Sequence, residues 1–496
     1  MRVLFIYPDI ITLHGLMNFC PPVHILSAVL KREGFKVDLI HINDEHGIKY
    51  DKDTILNLTD GYDLFAVTAT SFSYKYAHEI AGWLKERHPS VLRILGGCHA
   101  TIMPEDFESS NFDIFCVGEG EEPLKELATA LRDGKDWTKI PNFITRYGVN
   151  PVRGFLRDLD SLPYQDFEIT DTKKILELRK GWLSLSFSRG CPYECSFCIN
   201  HLYKKVEIGE NDKMSDYLRR RSPENSISEL ESIVSKYAVE YFNIDDDLLT
   251  VDKKWMKEFT DKYTERIFKP HGIKYILNAR STTIDDELAK MLSTSGCREV
   301  RIGFETGNEK LRNGLLYKKV SDKSLLKACN ILDKYNIMSV FFMMIGIPGE
   351  SWDTYFETVD MTILLKPKLI RMTFLYPYVH TRIYDYCIEN GLFREGEIDD
   401  NNDIASPLIF DNLTDEELFC MKFMFVWHVN ARWFGEEYQW AIDEYKDFSL
   451  LGLKELIPEI IEMDQELSKN CTHSHYRYYS GNPNYFEYYD NIKDTI

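Results

Sequence analysis

Short apolar runs alternate with stretches of helical spacing in two separate series along this chain. That double alternation restricts the fold more than any other feature. In the first series the segments 2–7, 36–42, 63–69, 91–95 and 112–117 read as strands, and 23–32, 76–86 and 122–131 as helices. Continuously apolar strands separated by helices predict a parallel sheet covered on both faces. In the second series strands are expected at 183–188, 241–245, 274–278, 299–304, 339–345 and 369–375, with helices at 254–267, 286–294, 323–335 and 352–365. Eight such units close a full barrel, so six predict a partial, open one. The expected fold class is therefore α/β. A doubly wound, Rossmann-like parallel-sheet domain (1–140) leads through a proline-containing connector (141–180) to a partial (β/α)6 barrel (181–385), and a mainly helical region (386–496) follows, with helices at 415–447 and 451–467. Ligands of open α/β sheets bind outside the carboxyl ends of the strands. Here those ends carry Pro8-Asp9, 68–73, 96–101 and 118–121, all polar or glycine-rich.

Composition removes several function classes. With 44% hydrophobic and 28% charged residues the chain is globular rather than disordered. The formal charge, 59 − 79 = −20, disfavours phosphate backbones, so no nucleic-acid partner is expected, although a local basic pocket is compatible with it. No apolar run approaches the ~20 residues of a membrane span. The opening MRVLFIYPD lacks the layout of a signal peptide. The expected location is cytoplasmic.

Of 11 cysteines, eight are scattered and read as small buried hydrophobes. The other three, Cys191, Cys195 and Cys198, form C-x3-C-x2-C just after the first strand of the second series. Soft thiolates so spaced suit zinc or an iron–sulfur cluster. With His201 as a fourth ligand, a zinc site fits the spacing equally well. Position favours the cluster: the loop follows a strand of a large βα array, where active sites form, and three ligands leave one iron open.

C-x3-C-x-aromatic-C after strand one of a six-unit βα array resembles the radical S-adenosylmethionine (SAM) superfamily. The resemblance implies that Cys191, Cys195 and Cys198 hold a [4Fe–4S] cluster whose open iron chelates SAM, and that reductive cleavage of SAM yields a 5′-deoxyadenosyl radical. It implies further SAM contacts. Phe197 would lie near the adenine, Asp246 of the Asp245-Asp246-Asp247 run would take the amino group, and Arg280 would pair with the carboxylate. Glu305, in Gly303-Phe304-Glu305-Thr306-Gly307, would accept from the ribose or the ammonium, and Gly346 and Pro348 of Gly346-Ile347-Pro348-Gly349-Glu350 would approach the adenine. After strand six, Tyr376-Pro377-Tyr378-Val379-His380-Thr381 carries His380 where the family has glycine, so that wall is expected to depart from the usual form.

The first domain resembles the cobalamin-binding domains fused to such barrels. Gly96-Gly97-Cys98-His99-Ala100-Thr101 matches G-G-x-H-x-T, and Val117-Gly118-Glu119-Gly120-Glu121 resembles V-x-G-E-G-E, with Val117 directly before the glycine. The layout is similar to the branch that holds class B methyltransferases and the anaerobic magnesium-protoporphyrin ester cyclase. The resemblance implies cobalamin at Gly96, Gly97, His99, Gly118, Glu119 and Gly120, with Thr70 and Ser71 beside its nucleotide tail. Glycines would let backbone approach the corrin. The cobalt-ligating D-x-H-x-x-G pattern is missing. Its nearest match, Asp44-Glu45-His46-Gly47-Ile48-Lys49, ends in lysine, and His14 lacks it as well, so no histidine–cobalt bond is expected. The lower face of the cobalt would be open, watered or touched from the 10–20 loop.

The expected activity is cobalamin-dependent methylation of an unactivated carbon in a small-molecule substrate, supported by an electron donor such as flavodoxin or ferredoxin. The alternatives are a non-methylating cyclisation, ring contraction or oxidation, and a non-catalytic corrinoid or cluster sensor. A tRNA-methylthiolating role is disfavoured by the acidic charge and by the absence of a second cysteine set. The substrate is expected to be chosen by the connector, the residues after strand six and the aromatic C-terminus.

Overall fold

A computed structural model describes residues 1–10, 16–208, 214–394 and 406–434. The chain divides into two compact units. The first comprises Met1–Pro192, Ile199–Asp247 and Glu258–Lys274; the second comprises Tyr193–Cys198, Leu248–Lys257 and Tyr275 onward.

The first unit is built on a seven-stranded sheet of order β2-β1-β3-β4-β5-β6-β7. Strands β1 (Arg2–Pro8), β2 (Lys36–Ile42), β3 (Leu64–Thr68), β4 (Leu92–Gly96) and β5 (Ile114–Cys116) run parallel. Because side chains alternate between faces, an uninterrupted apolar strand needs cover on both. One face packs Val3, Phe5, Ala66, Ile94 and Ile114 against Val23, Leu30, Leu124 and Leu127 of the helices Pro21–Arg32 and Glu121–Arg132. The other packs Leu4, Ile6, Phe65, Val67 and Leu95 against Ala77, Ile80 and Leu84 of the helix Tyr74–Arg87.

The sheet is not purely parallel. The first part of the stretch read as a connector supplies β6 (Phe143–Thr145), antiparallel to β5, and β7 (Gly148–Val149), antiparallel to β6. Strands of three and two residues are too short to show a period in sequence. A helix, Thr172–Leu178, follows, opened by the Asp171 side chain, which accepts from Lys174 N.

The strand expected at 183–188 splits in two. Strand β8 (Trp182–Leu185) pairs in parallel with β11 (Tyr241–Ile244), while β9 (Ser188–Arg189) pairs antiparallel with β10 (Arg219–Arg220). The break falls where the Asp246 carboxylate takes the N–H groups of Phe187 and Ser188 out of the ladder.

The second unit carries the parallel strands β12 (Lys274–Ala279), β13 (Cys297–Glu305), β14 (Met338–Ile345) and β15 (Leu369–Phe374), each next to its neighbour in sequence. Their register shifts between Gly303 and Glu305. The helices Asp286–Thr294, Asp322–Lys334 and Trp352–Leu365 fall within a residue of expectation, and each starts on a side-chain cap, Asp285, Ser321 or Ser351. The single helix expected from residue 415 is instead two, Asp415–Phe423 and Phe425–Phe434. Met424 breaks it, with ψ at 0° rather than the helical value. The remainder of that segment, the 451–467 helix and the aromatic tail lie outside the described residues. Among the described residues no helix is long and apolar enough to cross a membrane.

Candidate functional site

In the first unit a cavity of about 650 Å³ opens at the carboxyl ends of β1, β3, β4 and β5. Its floor holds Thr70, Gly96, Gly97, Gly118, Glu119 and Gly120, six of the positions expected to face a corrinoid. Facing them are Ser186–Gly190, Tyr203, Glu207, Tyr217, Arg219 and Asp245–Asp247. Ser71 and His99 do not line it. His99 is buried, with its ring stacked on Tyr74 at 3.6 Å and its Nε2 3.1 Å from the Asp106 carboxylate. Burial lowers its pKa despite that neighbour.

The paired glycines do different things. A Cβ on Gly96 would meet no atom within 4 Å, so this residue leaves open space in the cradle. Gly97 has φ 91°, and a Cβ there would lie 2.7 Å from the Ala69 carbonyl oxygen. Glycine at 97 is thus required by the turn itself, and only Gly96 keeps room for a flat ligand. No histidine is among the described residues that line the cavity. His46 sits in a surface turn, its carbonyl accepting from Lys174 Nζ at 2.5 Å. His14 lies outside the described residues. A broad cavity with glycines at the strand ends suits a flat ligand such as a corrinoid.

A buried ion cluster forms one side of this cavity. Glu119 accepts from Arg189 at 2.7 Å, from Arg219 at 2.8 Å and from the backbone N–H of Leu156 at 2.6 Å, and Arg189 reaches Glu121 as well. Burial alone would raise the Glu119 carboxyl; the two guanidiniums outweigh it and hold the group below its ordinary value. Glu207 lies 3.8 Å from Arg219, too far for a hydrogen bond, and burial pushes its carboxyl up to about 7. Asp246 does not present a free carboxylate. It is buried and accepts from the N–H of Phe187 and from the N–H and hydroxyl of Ser188. Burial raises it to about 7.

Among the remaining expected residues, Cys191 belongs to the first unit, and Cys195, Phe197 and Cys198 to the second. None of the three cysteines is in a disulfide. In the second unit the turn around Ser196 is fixed: its N–H donates to the Leu316 carbonyl at 3.0 Å, its hydroxyl to the Leu315 carbonyl at 2.7 Å, and its own carbonyl accepts from Ile383 N at 3.1 Å. Glu305 ends β13 with φ 66°, a left-handed conformation uncommon for a residue with a side chain. Its carboxylate pairs with Lys318 Nζ at 2.5 Å, and that ammonium lies 5.8 Å from the centre of the Phe197 ring. Lys318 belongs to no motif, so sequence reading misses it; its contact with Glu305 shows only in the structure. Arg280 is buried over the Tyr193 ring at 3.7 Å and donates to the Lys319 carbonyl at 3.3 Å, while its Nε has no hydrogen-bond partner. A buried guanidinium with an unused donor suits a carboxylate ligand, the group SAM would bring.

Among the described residues no three His, Cys, Asp or Glu side chains are gathered round one point, the three cysteines of the loop included, so the geometry does not choose between zinc and a cluster. Five of the scattered cysteines are buried. Burial pushes Cys20, Cys116, Cys329 and Cys387 up to about 12 and raises Cys297 too, so they stay protonated and poor as metal ligands.

The turn after β14 is braced from within. Gly346 has φ 77° and donates its N–H to the Glu350 carboxylate at 2.6 Å, as does Ile347 at 3.3 Å; Pro348 is buried beside them. After β15, His380 takes φ 66°, a left-handed conformation that glycine adopts more readily than a residue with a side chain.

Glu350 gives a pH prediction. Burial outweighs its two N–H donors and raises its carboxyl from 4.5 to about 7. As pH rises past 4.5 the unfolded chain loses this proton first, so stability declines until the folded carboxyl ionises near 7. Glu350→Gln keeps an acceptor and removes the titration. Between pH 5 and 8 the wild type is expected to lose more stability than the variant, by about 3 kcal/mol at most, measured as urea midpoints across pH. Parallel curves would contradict this.

Comparison with known proteins agrees with both halves. Residues 21–128 match the B12 binding domain, and residues 185–362 match the radical SAM superfamily. An uncharacterised methyltransferase of Pyrococcus horikoshii is 25% identical over 338 residues, 66% of this chain and 70% of that protein. The anaerobic magnesium-protoporphyrin IX monomethyl ester cyclase of Cereibacter sphaeroides is 26% identical over 410 residues, 77% of this chain and 63% of that protein. The structure of the cobalamin-dependent S-adenosylmethionine radical enzyme OxsB, with aqua-cobalamin and S-adenosylmethionine bound, superposes with a TM-score of 0.68 at 16% identity, covering 96% of this chain and 76% of that one. The fold is mixed α/β: the parallel sheet of a B12-binding domain, the curled half-barrel sheet of a radical SAM domain, then a helical part.

Proposed function

This chain carries both a B12-binding domain and a radical SAM domain, and on that premise we propose that it methylates an unactivated carbon of a small molecule. Its cofactors are cobalamin, SAM and a [4Fe–4S] cluster. When bound, they supply a transferable methyl group and reductive C–S cleavage.

The chain's own residues take up the rest. Cys191, Cys195 and Cys198 hold the cluster, and Arg280, with its unused buried donor, holds the SAM carboxylate. Lys318 neutralises Glu305 in the ground state, and SAM would compete for that carboxylate. Gly96 leaves the corrin its space. The observation that most supports methylation is that cavity: the glycines proposed to cradle the corrin line it together with Arg189 and Gly190, the residues leading to Cys191. A methyl carrier needs such proximity; a sensor does not.

The test is anaerobic turnover with methyl-labelled SAM, hydroxocobalamin and reduced flavodoxin against a small-molecule extract. A new product carrying one labelled methyl is expected. The similarity to the cyclase over 77% of the chain favours a second reading, oxidation or cyclisation without methyl transfer; 5′-deoxyadenosine accompanied by an unlabelled product would select it.

A further inference from the structure

One buried ion cluster belongs at once to the corrinoid cavity and to the residue that leads into the cysteine loop. We propose that through it cobalamin binding and retention of the iron–sulfur cluster are energetically coupled, with Arg189 as the positioning residue between them.

The chain of contacts is short. Glu119 and Glu121 stand on the loop after β5 and line the cavity floor with Gly118 and Gly120. Gly118 is fixed there at φ 81°, its N–H donating to Thr101 Oγ1 at 3.0 Å. Both carboxylates grip Arg189, one of them at 2.7 Å. Arg219, only 5% exposed, grips Glu119 from the other side at 2.8 Å, and its backbone pairs with Arg189 across β9 and β10.

Arg189 is two residues ahead of Cys191, and Gly190 between them has no slack. It takes φ 86°, and a Cβ there would lie 2.6 Å from the Tyr217 carbonyl oxygen. Whatever sets the 118–121 loop therefore sets Arg189, and with it the approach to Cys191. The fork of a guanidinium bound to two carboxylates transmits position as well as charge. The pairs are largely out of water, so salt screens them little. Coupling of this kind is reciprocal: the factor by which the iron–sulfur cluster tightens cobalamin equals the factor by which cobalamin tightens the iron–sulfur cluster.

The experiment measures hydroxocobalamin affinity by equilibrium dialysis on the full chain, without oxygen, before and after iron is removed with a chelator. Loss of iron to bathophenanthroline, with and without hydroxocobalamin, reads the other direction. In the wild type the cluster is expected to tighten cobalamin at least about fivefold, the lower end of ordinary coupling. Glu121→Gln cuts one arm at constant shape, and Arg189→Lys keeps the charge but not the fork. Each is expected to bring the ratio below twofold while both cofactors still bind. A smaller wild-type ratio overturns the proposal by itself. So does an undiminished ratio in whichever variant folds. Neither result bears on whether a methyl group is transferred.

Discussion

Replacing Cys191, Cys195 and Cys198 together by alanine is expected to leave reconstituted protein without iron and without reductive cleavage of SAM, a loss of at least about three orders of magnitude in rate. The reason is chemical: thiolates alone among the groups of this loop hold iron–sulfur clusters. The measurement pairs iron content and absorbance near the cluster band with 5′-deoxyadenosine by chromatography. A contrasting variant, Cys387→Ala, removes a thiol that burial keeps protonated. It is expected to cost about 1 kcal/mol of stability and no iron. Zinc bound in place of iron in the wild type, or iron retained by the triple variant, would defeat the assignment.

Gly96→Leu is expected to abolish corrinoid binding, with at least about a hundredfold loss of affinity from steric exclusion, while the chain stays folded and SAM cleavage survives. The position was first grouped with Gly97, and the structure separates them. A Cβ at 96 meets no atom within 4 Å, so a leucine there starts into open space of the cavity. A Cβ at 97 runs into the Ala69 carbonyl at a positive φ, so leucine there is expected to disrupt the turn and report on folding instead. Circular dichroism, corrinoid absorbance after dialysis and 5′-deoxyadenosine formation distinguish the outcomes. Full corrinoid content in folded Gly96→Leu would remove the ligand from this cavity.

What could be read from sequence was what depends on neighbours along the chain. The bounds of β2 and of the helices Asp286–Thr294 and Trp352–Leu365 match the expected ones because their caps and apolar periods are local. The cysteine loop and the strand-end glycines were legible for the same reason. Long-range pairing was not. Nothing near Arg189 announces that its partners stand at 119 and 121. The acidic run places Asp246 at the cavity, but nothing in it announces that the carboxylate also accepts from the Phe187 and Ser188 N–H groups. His99 matched a motif, but stacking on Tyr74 takes it out of the cavity. Lys318, outside every motif, sits beside Glu305 because a loop returns it there.

The short hairpin that completes the first sheet has a colloidal consequence. Without it β5 would present an unpaired parallel edge, a template on which a second molecule could lay a strand. Strand β6 occupies that edge, and β7 then offers only Gly148 and Val149 to any newcomer. Two residues are too few to seed an intermolecular ladder, and Val149, 76% exposed, marks the point where pairing ends. This edge of the sheet is thus guarded against aggregation by stopping early, unlike the opposite edge, where β2 runs for seven residues, and lengthening the hairpin with β-branched residues would undo the guard before it altered any chemistry.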